Sequence, residues 1–148
     1  MKEITLSSQQ ALFDQIASLV SEHGMVVIGS SNQNRTSWAS FEALSVLREK
    51  HSNGTPIKIV TMGELDQYSD VGFHVARLED IESGMIVYGG AIRSPEKANL
   101  LLKAAKICPV VAIVHASKPV TRFRDMGCDM TEVEDNLKAV FIFENELT

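Results

Sequence analysis

The sequence has 148 residues, enough for one ordinary core, since folding at this length hides roughly 68–70% of the surface an unfolded chain exposes. Hydrophobic residues make up 45% and charged residues 22%, a globular balance that excludes an intrinsically disordered chain. Lys and Arg number 14 against 19 Asp and Glu, a net charge of −5 with no basic run, so nucleic acid is not an expected partner. No apolar run approaches the ~20 residues of a membrane helix and no signal peptide opens the chain, so direct membrane insertion is not expected either. Cys108 and Cys128 make neither a disulfide framework nor a cluster with metal-ligand spacing. The expectation is a cytoplasmic protein folded as a single domain over residues 1–148.

After a short start, Leu12, Phe13, Ile16, Ala17, Leu19 and Val20 fall on one helical face, with Ser7 or Ser8 as the cap and Gly24 as a left-handed exit. Met25-Val26-Val27-Ile28 is apolar throughout, too short for a helix, and bounded by Gly24 and Gly29, which fits a strand buried on both faces. A polar loop over 29–35 leads into a second amphipathic helix carrying Trp38, Phe41, Leu44 and Leu47. Asn53-Gly54-Thr55-Pro56 breaks it, and residues 57–61 form the second strand.

Between Met62 and Gly84 the pattern is weaker. Val71, Val75, Leu78 and Ile81 suggest a helix, against which Gly72 counts. A third buried strand over 85–88 ends at Gly89-Gly90. Ser94-Pro95-Glu96 opens a helix with a capping hydroxyl, a proline at the first helical position and an acid near the positive dipole end. That helix turns Ala98, Leu101, Leu102 and Ala105 inward, and residues 110–114 make the fourth strand. A short helix ends at Met126-Gly127, an acidic helix starts near Thr131, and residues 139–143 read as the last strand. Apolar strands alternating with helices call for an α/β fold, a parallel sheet covered on both faces.

In such sheets ligands sit beyond the carboxyl ends of the strands, here residues 29–37, 62–68, 89–94 and 115–119. Gly29-Ser30-Ser31-Asn32-Gln33-Asn34-Arg35-Thr36, followed by Ser37, has the layout of a phosphate-binding loop: strand, glycine, polar loop, then a helix start. Against the P-loop template, Asn34 stands where the second glycine belongs and Arg35 where the lysine does. The same string is also an ordinary polar strand-to-helix loop. His115 at a strand end fits either a ligand sensor or a hydrogen-bonded structural residue, and Glu64 and Asp66 fit solvated loop acids.

The order of these segments resembles the secretion-ATPase superfamily, which serves type II secretion, type IV pili and type IV or conjugative secretion. Gly90-Ala91-Ile92-Arg93-Ser94-Pro95-Glu96 resembles its Walker B stretch, residues 112–115 its histidine-box strand, and Arg122-Phe123-Arg124-Asp125-Met126-Gly127 its "RL-DMG" segment, while residues 60–68 align with its acidic box. The resemblance implies a three-layer RecA-like P-loop domain with a mainly parallel sheet, without the family's separate N-terminal domain. It also implies nucleotide contacts at residues 29–37, a Mg²⁺ ligand at Thr36, and Glu64 and His115 behind them.

The departures fall on the chemical groups. Asn32 and Asn34 replace glycines, although Asn tolerates positive φ best among the other residues. Arg35 replaces the Walker A lysine, Ala91 the Walker B glutamate and Gly63 the acidic-box glutamate. A guanidinium is no like-for-like lysine, and a methyl group cannot hold a water or accept its proton.

The expectation is therefore a non-catalytic accessory or structural component of a pilus, secretion or conjugation apparatus. Its implied partners are a machinery protein such as an active ATPase of the same superfamily, or further copies of itself, with peripheral placement at the inner membrane through a partner. The alternative is a nucleotide-binding regulator or slow ATPase holding ATP or ADP with Mg²⁺ at residues 29–37. A flavodoxin-like module with another phosphate-bearing ligand is a third reading, against which stands the lack of an evident aromatic pair for a flavin.

Overall fold

The computed structural model describes residues 2–20, 23–30, 58–61, 74–75, 77–82 and 84–143. In chain order these form β1 (Lys2–Leu6), α1 (Gln9–Leu19), β2 (Gly24–Gly29), β3 (Lys58–Thr61), β4 (His74–Val75), a 3-10 turn (Leu78–Asp80), β5 (Met85–Ala91), α2 (Pro95–Ala104), β6 (Pro109–Val114), α3 (Pro119–Asp125), α4 (Met130–Asn136) and β7 (Leu137–Phe143). The strands make one seven-stranded sheet in the order β1-β7-β2-β6-β5-β3-β4, with every neighbouring pair parallel.

The three layers follow from this order. Moving from β1 to β2 the chain crosses the sheet in one direction; from β5 to β6 and from β6 to β7 it returns in the other. Right-handed crossovers running opposite ways place their helices on opposite faces. Accordingly α1 buries Leu12, Ile16 and Val20 against Val26, Ile28, Tyr88, Val111, Ile113 and Phe141. On the other face Leu101 and Leu102 of α2, Phe123 of α3 and Val133 of α4 cover Met25, Val27, Val87, Val110, Ala112 and Val140. β2 and β6 are buried along their whole length, which is why their sequences run apolar without alternation.

Local chemistry sets the helix starts. Ser8 accepts the Ala11 N–H at 3.2 Å, Ser94 accepts that of Lys97 at 3.2 Å, and Asp129 accepts those of Thr131 and Glu132 at 3.0 and 3.4 Å. Gly127, at φ +82°, turns the chain out after α3.

Four expectations change. The opening residues form strand β1, an edge strand paired to β7, with Lys2 and Glu3 exposed and Leu6 buried. α1 ends at Leu19, so Gly24 is no helix exit; its φ of +121° starts β2. No helix spans residues 74–81: His74 and Val75 pair with β3, and Arg77 and Asp80 cap the short turn that follows, dropping Ile81 into the core. Gly89 and Gly90 do not end the third strand, which continues through them to Ala91. The expected helix carrying Trp38 and Phe41, and the segment 62–68, lie outside the described residues. Among the described residues no helix is long and apolar enough to cross a membrane.

Candidate functional site

β2 and β6 are neighbours whose chains leave in opposite directions. From β2 the chain continues to β3, beyond β6 and β5; from β6 it passes back over β2 to β7. That divergence opens a crevice at the carboxyl ends of the two strands, the place where α/β sheets bind ligands.

Gly29 closes one wall of this crevice. A Cβ there would lie 2.5 Å from Pro119 Cγ and 3.0 Å from the Ala116 carbonyl oxygen, so only glycine lets the start of α3 sit this close to β2. Ser30 extends the ladder by donating its N–H to the Val114 carbonyl at 3.4 Å, and it is only 5% exposed. Past Val114, the Ala116 N–H donates back to Val114 at 2.8 Å, a tight turn that holds His115 at the strand end.

β5 supplies the next wall through a bulge. Tyr88 pairs with Val111 but Gly90 pairs with Ala112, leaving Gly89 as the extra residue. Gly90 takes φ +63°, the conformation this bulge requires of a glycine. Gly89 has no room for a side chain, because a Cβ would lie 2.5 Å from Leu101 Cδ1. Beyond the bulge Ala91 faces the α1 side beside Ile113, Ile92 returns to the α2 side, and the Ile92 N–H donates to the Ile113 carbonyl at 2.9 Å.

Partial burial, and next the Arg93 guanidinium, hold the His115 imidazole below its ordinary value, so it is neutral at pH 7 and becomes cationic only under more acidic conditions. Arg93 was legible only as one letter of a resembling stretch; it stands immediately before the capped start of α2, near enough for its charge to act on His115. The signal that could have found it is its position at the end of a buried strand, ahead of Ser94. Among the described residues that end β2, β5 and β6, none is a carboxylate. None of the described residues forms a cluster of three metal-binding side chains.

Of the expected site residues, Gly29, Ser30 and His115 come together here. Ser31, Asn32, Gln33, Asn34, Arg35, Thr36, Ser37 and Glu64 lie outside the described residues, as does Gly63. Cys108 and Cys128 are buried, free thiols packed in the α2-side core.

Among solved structures the chain is similar to the Yersinia pseudotuberculosis ATPase DotB, with a TM-score of 0.53 and 15% identity, over 91% of this chain and 41% of that one. The fold is RecA-like. Identity this low carries the architecture and no further. The chain spans 41% of DotB's length. No protein-family model matches the sequence, and no curated protein matches it. Within the RecA-like frame β2 is the strand that precedes residues 29–37, β5 carries position 91, and His115 ends the strand between them.

Proposed function

We propose that this protein is a catalytically degenerate relative of the secretion ATPases. It acts as an accessory or structural part of a pilus, secretion or conjugation apparatus, through contacts with other proteins. The observation that carries this reading is Ala91 at the carboxyl end of β5, one strand from His115 and on the α1 side of the sheet. In the resembling family that position holds the acid that handles the attacking water, and a half-buried methyl group supplies neither charge nor proton acceptor. The replacement of lysine by Arg35 and of a glutamate by Gly63 in the sequence supports the same reading.

An anion is nonetheless a reasonable guest. Arg93 and His115 offer donors at the crevice, and the nucleotide-binding alternative rests on them together with residues 29–37. Among the described residues that end β2, β5 and β6 there is no carboxylate to accept a proton from water.

Two measurements test the reading. Calorimetric titration of the purified protein with ATP and ADP separates binding from its absence; heat at micromolar nucleotide, lost in Arg93→Ala, establishes the regulator. Steady-state ATP hydrolysis that disappears with Thr36→Ala would overturn the degenerate reading outright.

A further inference from the structure

On the α2 side the outermost strand of the sheet keeps an open face. β1 turns Ile4 and Leu6 towards α1, and strand alternation sends Glu3 and Thr5 to the other side, where both are exposed. Beside β1, β7 sets Val140 and Ile142 on that same side, with Val140 opposite Glu3 in the register. Across β7 from β1, Pro119 holds the start of α3 against Gly29 of β2. Between β1 and the start of α3 there remains a cavity of about 200 Å³, with Val140 and Ile142 in its lining.

The same cavity is bordered by charges of both signs. Glu3 reaches it from β1 and Lys118 from the start of α3, with the hydroxyl residues Ser117 and Thr121 on either side of Lys118 in sequence. Among the described residues neither Glu3 nor Lys118 forms an ion pair. Both are exposed, so each charge is hydrated and available to a guest. Ile142 is only half-buried, so the β7 side still offers apolar surface that gains from being covered.

These features select by charge, size and shape. An anion drawn to Lys118 is repelled by Glu3, a cation meets the reverse, and an apolar molecule strips water from both without replacing it. A zwitterion satisfies the two together. The volume lies below the roughly 300–1,000 Å³ of pockets that take drug-sized ligands, so the guest is small. In an α-amino acid both charges sit at one end and the side chain projects from the carbon between them, which matches charges on two borders and an apolar floor. We infer that this cavity binds an α-amino acid with an aliphatic side chain. Its ammonium sits on Glu3, its carboxylate on Lys118 and the neighbouring hydroxyls, and its side chain on Val140 and Ile142. The inference goes beyond the proposed function, since it involves neither nucleotide nor residues 29–37.

The test is a titration of the full chain with L-leucine up to about 10 mM, followed by methyl NMR, a range that detects millimolar binding. The methyl signals of Val140 and Ile142 should move and saturate. Glycine, which lacks the side chain, 4-methylpentanoate, which lacks the ammonium, and 3-methylbutylamine, which lacks the carboxylate, should each bind about tenfold or more weakly. Glu3→Gln and Lys118→Gln should each weaken L-leucine by a similar factor. Both positions are exposed, so the variants should keep the wild-type melting temperature, which shows them to be folded. Absence of saturation with L-leucine, methyl shifts confined to other parts of the molecule, equal binding of the acid or the amine, or folded variants that bind as the wild type does would each overturn the inference. Hydrolysis of ATP by a protein that binds L-leucine as described would remove the proposed function and leave this inference standing.

Discussion

Replacing Gly29 by alanine should loosen the wall of the crevice at a cost that the geometry fixes. The added Cβ would lie 2.5 Å from Pro119 Cγ, where carbon atoms rest at about 3.5–4.0 Å, so the overlap is about 1 Å or more. The proline ring cannot rotate away, and it occupies the first turn of α3. Relief requires the helix start to retreat, and with it Phe123, which is fully buried. Overpacking of this kind costs roughly 1–3 kcal/mol. With a urea slope near ~2 kcal/mol per molar for a domain of this size, the unfolding midpoint should fall by about 0.5–1.5 M at unchanged slope. Pro119→Ala removes the ring that the new methyl strikes. In a double-mutant cycle the pair should therefore cost less than the sum, by about 1 kcal/mol or more. A midpoint change under about 0.2 M, or strict additivity with Pro119→Ala, would refute the close approach as the reason for glycine here.

Leu101→Ala removes a fully buried side chain beneath the β5 bulge and should cost about 2–5 kcal/mol in the same denaturation assay. Ser94→Ala deletes the cap on the Lys97 N–H and should cost ~1 kcal/mol, with Ser94→Asp retaining most of it. Cys108 is pushed up from 9.0 to about 11 by burial, so the unfolded chain gives up its thiol proton first. Stability should accordingly be full below pH 9 and fall as pH rises towards 11, and Cys108→Ala should flatten that alkaline limb in urea titrations. The His115 value is depressed, so the sign is opposite: its contribution is present above the ordinary value of 6.5 and is lost as pH falls below it, and His115→Asn should remove that part of the acid slope.

The buried strands were legible because their physics is local. β2 and β6 are covered on both faces, so each reads as an uninterrupted apolar run ended by glycine, proline or a polar turn. The capped starts of α1 and α2 were legible for the same reason: a serine hydroxyl three residues before a free N–H is written in the sequence. What failed depended on partners far along the chain. β1 is an edge strand with one buried face, and only β7, more than a hundred residues later, gives Ile4 and Leu6 a reason to be extended. The apolar spacing of Val75, Leu78 and Ile81 matches a helix, but pairing of His74 and Val75 to β3 takes precedence over that local pattern. Of the candidate site, Gly29, Ser30 and His115 could be gathered from the rule that ligands meet strand ends. Arg93 could not, because the action of its charge on His115 depends on β5 and β6 lying side by side.

The bulge in β5 decides what position 91 can do. In an unbroken ladder from Tyr88 opposite Val111, Gly89 would face Ala112 and residue 91 would face Val114, on the α2 side of the sheet. The extra residue shifts the register by one, so residue 91 faces Ile113 and packs on the α1 side instead. One unpaired glycine thus determines which layer of the molecule sees that side chain. Ser30 lies two residues beyond Ile28, whose side chain is also on the α1 side, and strand alternation carries it to the same layer. The bulge therefore places residue 91 on the layer shared with the end of β2.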